Sequence, residues 1–370
     1  MIAYGCLLLL VTLQGLFFLR SKNPRIVWFF YFFTWAELTL VAGLRSVNVA
    51  RDTDNYFHTF RAAITSTDLR YLSKHMELGF LYFCRALSYI SHSPQILFFV
   101  VAGFYTFIFL RMIKKYSPWP LISVLVFVSA VPFGSYIFCL SFLRQALAIG
   151  CFLLGLEQLL NNRTVPFILL VLLGSVFHKS CIVCLVLLPI LKTPLDAKTL
   201  LIAIFGTGVF MLVFPIILPH LPFGLGHYVG YMSKETSDMS HFSAFLKAMA
   251  QLYVTATLMY VYMSKQDVSR QTRMFAWISL LAFICEFAAI RVLFMNRVLY
   301  FTICNCILIP YALARLRYKK DLLLLAFAFC FILLANNADF WTRRAAREHV
   351  DQYEFYWDNP YGLVRWNLYG

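Results

Sequence analysis

Charge is scarce in this sequence. Only 13% of its 370 residues are charged while 61% are apolar, and a water-soluble domain could not cover its surface with so few polar groups. Acids are scarcer still, 17 Asp and Glu against 32 Lys and Arg, for a net charge of +15. The motifs of soluble catalysis are missing too. There is no Walker loop, dinucleotide fingerprint, zinc-protease helix or nucleophile elbow, which argues against an ATP-driven transporter and a classical hydrolase. Alternating ten-residue segments, the mark of an outer-membrane barrel, do not occur. The first apolar block lacks the polar region and small-residue cleavage site of a signal peptide, so residues 2–19 read as a retained span. Ten cysteines are present, but Cys139, Cys151, Cys285, Cys304 and Cys306 lie inside apolar blocks and read as small hydrophobes. Cys181 and Cys184 form a CxxC with no second pair, a weak basis for a metal or redox role.

What remains is long apolar runs, and the mean hydropathy of +0.73 makes the chain a polytopic integral membrane protein. Several runs approach the roughly 20 residues that a helix needs to cross hydrocarbon. Basic residues cluster between them: Arg20, Lys22 and Arg25; Arg111, Lys114 and Lys115; Arg163; Lys192 and Lys198; Lys265, Arg270 and Arg273; Arg315, Arg317, Lys319 and Lys320. The only acids among these loops are Asp196, Asp267 and Asp321. This is the positive-inside pattern, and it places these loops in the cytoplasm without invoking a nucleic-acid partner. Spans are expected at 2–19, 26–44, 95–110, 119–140, 142–160, 200–218, 245–263, 274–290, 298–314 and 322–338. Residues 165–191 are ambiguous. One crossing there would put Lys265, Arg270 and the cluster Arg315–Lys320 outside, whereas a broken half-helix pair turning at His178 and Lys179 returns every basic loop to the cytoplasm. The expectation is therefore all-α, with about ten full transmembrane helices plus that broken pair and both chain ends outside. Residues 1–338 form one membrane domain with a long outer loop at 45–94. Residues 339–370 form an aromatic and charged tail suited to a membrane interface.

Under this topology four polar groups from distant parts of the chain share the outer face. The run Arg45 to Tyr56 packs Arg45, Arg51, Asp52 and Asp54 into a few residues, and Glu77 stands at the far end of the same loop. A guanidinium offers phosphate two parallel hydrogen bonds, and a neighbouring carboxylate can accept a proton or a sugar hydroxyl. The alternative for that run is a solvated loop with local ion pairs. Arg144 and Gln145 open a span among apolar neighbours, where an ionisable group is costly and serves a function unless it snorkels to the headgroups. His178 sits at the turn of the broken pair, and Arg291 and Arg297 lie at the outer ends of adjacent spans, where interfacial anchoring is the other reading. A pocket built from these groups would suit an anionic headgroup such as a lipid diphosphate. A divalent cation on Asp52 and Asp54 stays open, although the arginines make it unnecessary.

Arg45 after the second span, Asp52-x-x-x-Tyr56, Glu77-x-Gly79-Phe80, Leu143-Arg144-Gln145-x-Leu147-Ala148 and Phe177-His178-x-Ser180 together resemble the EpsG family of bacterial membrane proteins, which are Wzy-like polymerases of O-antigen, capsule or exopolysaccharide repeat units. The motifs cover roughly residues 45 to 180, and layout alone carries the resemblance beyond. One position departs from the pattern, since Ala50-Arg51 stand where a glycine is expected before the aspartate region. The resemblance implies glycosyl transfer at the periplasmic face of the inner membrane, from a growing glycan on undecaprenyl diphosphate to an incoming lipid-linked repeat unit. It also implies a GT-C-like architecture and no cofactor. Arg45, Arg51, Arg144, Arg291 and Arg297, with Tyr56 and Gln145, would hold diphosphate and sugar. Asp52, then His178, with Asp54 and Glu77 as further candidates, would take the proton from the attacking hydroxyl. The lipid-linked oligosaccharide and the bilayer are the expected partners, and a membrane-bound chain-length regulator stays open as another. The rival readings are an O-antigen ligase and a lipid-linked oligosaccharide flippase or other secondary transporter.

Overall fold

The structure, a computed structural model, describes residues 2–73, 76–129, 134–217, 241–289, 298 and 300–359. Among them the chain is helical, with one isolated antiparallel bridge between Arg45 and Phe355 and no strand. Among the described residues five helices are long and apolar enough to cross a membrane: Pro24–Gly43, Gln95–Tyr116, Leu143–Leu160, Arg270–Ala289 and the run Lys319–Arg344. Shorter apolar helices accompany them, and the protein is a multi-pass membrane protein. Where the sequence suggests full spans, several segments are broken. Residues 119–140 form two short helices, Pro120–Val128 and Tyr136–Ser141. Pro132 lies between them in sequence, and a proline inside a helix removes a hydrogen bond and crowds the preceding turn. Residues 298–314 become helical only at Thr302 and carry Pro310 within Asn305–Leu313.

By packing, the chain divides into two compact units, residues 1–130, 135–182 and 340–370 in one and 131–134 and 183–339 in the other. The first unit holds α1 (Ile2–Phe18), α2 (Pro24–Gly43), α3 (Thr53–Thr65), α4 (Leu69–Leu72), α5 (Leu78–Ser88), α6 (Gln95–Tyr116), α7 (Pro120–Val128), α8 (Tyr136–Ser141), α9 (Leu143–Leu160) and α10 (Thr164–Phe177). Its core is α9, which is buried on nearly every side. Small residues let the neighbours approach. Gly155 lies under Phe167 and Leu170 of α10, Gly174 of α10 lies against the Ala148 carbonyl, and Gly150 receives the Phe104 ring. Close backbone approach of this kind drives helix association where lipid removes the hydrophobic driving force. Interhelical hydrogen bonds add about 0.6 kcal/mol each, among them Trp35 Nε1 to the Gly103 carbonyl at 2.9 Å and Tyr136 Oη to the Leu38 carbonyl at 2.8 Å.

Charge gives this unit two different ends. At one, Glu157 at the close of α9 accepts Arg111 and Lys115 from the close of α6, at 2.9 and 2.7 Å. At the other, the close of α2 meets the start of α6, where Gln95 Nε2 donates to the Gly43 and Arg45 carbonyls. The starts of α6 and α9 therefore share the end that carries residues 44–94. There α3 and α5 are amphipathic. Thr53, Tyr56, Phe57, Phe60 and Ala63 of α3 face inward with Phe80, Leu81, Cys84 and Leu87 of α5, at the spacing of a helix with one buried stripe. The tail packs at this end too: Tyr353 Oη donates to the Val41 carbonyl at 2.5 Å.

Helix α10 ends at Phe177, and His178 is extended at φ −150° and ψ 110°. The chain then turns back as a 3-10 segment beginning at Lys179, so that Cys181 returns beside Gly174 and the Ala148 carbonyl. The apolar stretch is thus interrupted at His178, the position where the sequence suggested a turn.

The second unit contains α11 (Leu187–Ile190), α12 (Ala197–Ile217), α13 (His241–Met263), α14 (Arg270–Ala289), α15 (Asn305–Leu313) and α16 (Lys319–Asp339). Arg315 pairs with Asp267 at 2.6 Å and Tyr260 donates to Asp321 at 2.6 Å, so the basic connections after α13 and α15 share one end. The outer face of α16 carries exposed Leu323, Leu324, Phe327, Phe331 and Leu334, a surface made for lipid rather than water.

Candidate functional site

Four helix ends of the first unit converge on one cluster. Asp52 precedes the first turn of α3 and Tyr56 lies one turn further on. Glu77 precedes α5, Arg144 is in the first turn of α9, and His178 follows α10. These are motif residues drawn from positions 52 to 178 of the sequence. The Arg144 guanidinium donates to Oε2 of Glu77 in a short charge-assisted contact. Nδ1 of His178 lies 3.3 Å from Oε1 of the same carboxylate, and the Lys179 amide donates to that oxygen at 3.4 Å. Tyr56 is buried, hydrogen-bonds through its hydroxyl with Arg144, and meets the Phe80 ring edge-on at 5.6 Å.

Gly79 explains why the motif reads Glu-x-Gly-Phe. A Cβ at this position would lie 2.1 Å from Val176 Cγ1 and 2.7 Å from the Val176 carbonyl oxygen. Only glycine lets the start of α5 press onto the end of α10, and that contact sets Glu77 against His178. Phe83 and Phe177 seal the same seam edge-on at 5.8 Å.

The two central carboxylates differ in charge state for local reasons. Burial pushes Glu77 up, but the His178 ring and the Arg144 guanidinium outweigh it and hold the carboxyl at about 2. It is a poor base and a firm anchor. Asp52 moves the other way. Burial raises it, Arg51 and Arg144 lower it, and Glu348 and Asp54 raise it, for a net increase. Its side chain caps no amide of α3, so the carboxylate is left for another partner. A raised, uncommitted carboxylate beside a guanidinium is the better proton acceptor of the two.

Arg45 is placed differently from its expectation as a diphosphate ligand. Its side chain is fully buried, donating to the Ala42 carbonyl, to the Leu140 carbonyl at 2.9 Å and to Thr53 Oγ1 at 3.4 Å, with the Phe98 ring 4.3 Å away. It satisfies the open carbonyls where α2 and α8 end and ties them to the start of α3. Its donors are thus committed to the protein. Arg51 is exposed, Asp54 is half-buried in the first turn of α3, and Gln145 is buried beside Arg144. Arg291 and Arg297 lie outside the described residues. Among the described residues no group of three or more His, Cys, Asp and Glu side chains is placed to hold a metal ion.

Ala50 holds the place where a glycine is expected, and it adopts glycine's conformation, with φ 70°. The turn into α3 closes there, with the Thr53 amide donating to the Ala50 carbonyl at 3.1 Å. The residues least visible in the sequence are Glu348 and Glu354 of the tail. Glu348 lies close enough to Asp52 to raise its carboxyl, and Glu354 accepts from Ser46 Oγ at 2.5 Å and Asn48 Nδ2 at 2.8 Å. Their one signal is that they are acids in an aromatic segment of mixed charge.

A family model described as EpsG family matches residues 9–354, from the first helix to Glu354 in the tail. No curated protein and no solved structure matches the chain.

Proposed function

Because the chain belongs to the EpsG family, whose membership supports a polysaccharide polymerase role in general, we propose that it joins undecaprenyl-diphosphate-linked oligosaccharide repeat units at the periplasmic face of the inner membrane. The O-antigen or a related surface polysaccharide is the product, and the helical scaffold belongs to the GT-C-like class. A hydroxyl of the incoming lipid-linked unit attacks the anomeric carbon of the growing chain. The bond from that carbon to the diphosphate oxygen breaks, the hydroxyl proton passes to Asp52, and undecaprenyl diphosphate leaves with the electron pair. Arg144, with Arg51 near Asp52, neutralises the charge that develops on the departing diphosphate, a form of stabilisation that is often the largest catalytic contribution. Glu77 stays ionised and orients Arg144 and His178. Tyr56 braces Arg144 from the other side.

The observation that carries this reading is the contrast between the two carboxylates. Glu77 is committed to Arg144 and His178, whereas the Asp52 carboxylate caps nothing and is raised by burial. In cells that lack the chromosomal copy, Asp52→Asn should abolish polymer while single repeat units remain attached. Wild-type chain lengths in that variant would reject the assignment. Loss of all attached glycan on deletion of the gene would instead favour a ligase or a flippase.

A further inference from the structure

Asp52 reaches the cluster from a turn that the chain does not hold by itself. Ala50 is fully buried in left-handed backbone, a region that a Cβ disfavours. Such a residue persists only where its surroundings over-determine it. Those surroundings come from the tail. The Ala50 amide donates to the His349 carbonyl at 2.8 Å, and His349 is itself left-handed at φ 52°. Four residues before Ala50, the Ser46 amide donates to the Glu354 carbonyl at 2.8 Å, and the Tyr356 amide donates to the Leu44 carbonyl at 2.8 Å. The Glu354 carboxylate then binds the loop a second time through Ser46 Oγ and Asn48 Nδ2. Residues 44–50 are thus fastened along their length by residues 349–356, and Val350 of that segment is fully buried.

We propose that the C-terminal segment 349–356 is a positioning strap for the site, in which Glu354 and the His349 carbonyl hold Ala50 in its left-handed turn and so aim Asp52 and Tyr56 at Arg144. Glu354 touches no substrate in this scheme and acts through the loop. Glu348, the residue before the strap, lies close enough to Asp52 to raise its carboxyl. The strap's catalytic consequence rests on the reading of Asp52 and Arg144 given above, but its mechanical part does not.

The test is hydrogen–deuterium exchange on the full chain in detergent, joined to the polymer ladder formed in cells. Glu354→Ala should speed amide exchange across residues 46–56 by about tenfold, with the amides of α6 unchanged. Polymer should fall by about tenfold at an unchanged level of protein in the membrane, since small misplacements near a reacting centre are costly. Glu354→Gln still offers an acceptor oxygen to Ser46 and Asn48 and should stay close to wild type. Adding Ala50→Gly to Glu354→Ala should recover part of the polymer, because glycine enters the left-handed region unaided. Should Glu354→Ala fail to accumulate, Asn48→Ala removes one of the two ties and carries the same expectations at smaller amplitude. Unchanged exchange at 46–56, or a Gln variant as defective as the Ala variant, would overturn the proposal. Wild-type polymer from Asp52→Asn would reject the catalytic reading alone and leave the exchange result to judge the strap.

Discussion

Replacing Gly79 with alanine tests whether the approach of α5 to α10 builds the site. The new Cβ would sit 2.7 Å from the Val176 carbonyl oxygen and 2.1 Å from its Cγ1. A carbon and a carbonyl oxygen settle at about 3.3 Å or more, so the two backbones must part by roughly 0.6 Å. The valine side chain has little freedom to turn aside in a helix. Overpacking of this kind costs about 1–3 kcal/mol, whereas alanine in place of glycine returns about 1 kcal/mol of helix propensity. The net loss of stability is up to about 2 kcal/mol. The functional loss should be larger in proportion. Glu77 moves with the start of α5, and a displacement of about half an ångström should cost on the order of tenfold in rate. Purified membranes would be assayed for protein level, for the fraction surviving a heating series in detergent, and for polymer formed per molecule. A Gly79→Ala protein that polymerises as well as wild type and survives more heat would refute the reasoning, because propensity alone would then govern the position.

Two arginines should separate by phenotype. Arg45→Lys leaves the Ala42 and Leu140 carbonyls short of donors, at about 1–3 kcal/mol for each buried group, so the amount of folded protein should drop. Arg144→Lys keeps a cation at the surface of the cluster but loses the planar fork, so polymer should fall while protein level holds; the reverse pattern on immunoblots and ladders would exchange the two roles. Glu77 predicts a pH dependence with a definite sign. Its folded pKa of about 2 lies below its ordinary value of 4.5, so its stabilising contribution is complete above about pH 4.5 and is lost as pH falls toward 2. Glu77→Gln should lack that dependence, and identical acid unfolding of both proteins would contradict the assignment.

Membrane residence and the grouping of basic loops were legible in the sequence because both are local. An apolar run is a property of consecutive residues, and a cluster such as Arg111, Lys114 and Lys115 needs no partner to declare itself. An interruption near His178 was expected from the loop charges, and helix α10 does end at Phe177. The motif residues Tyr56, Glu77, Arg144 and His178 could likewise be named from their flanking patterns. What each one does could not, because that depends on which groups fold against it.

Glu77 was one proton acceptor among several until α5 set it between Arg144, 67 residues away in sequence, and the turn after α10. Its ionisation state follows from that meeting. Arg45 follows an apolar helix directly, and from there a guanidinium can reach either headgroups or its own backbone. Burial against Phe98 and the open carbonyls at the ends of α2 and α8 decided for the backbone. Ala50 looked like a departure from the expected glycine, yet it takes a left-handed turn that a strap some 300 residues further along holds, with Glu354 bonded to Ser46 across 308 positions. The sequence by itself determined that the chain lives in a membrane and named the candidate residues of its site. Only tertiary structure decided their charge, their aim and their partners, because those are set by groups brought close in space from positions far apart along the chain.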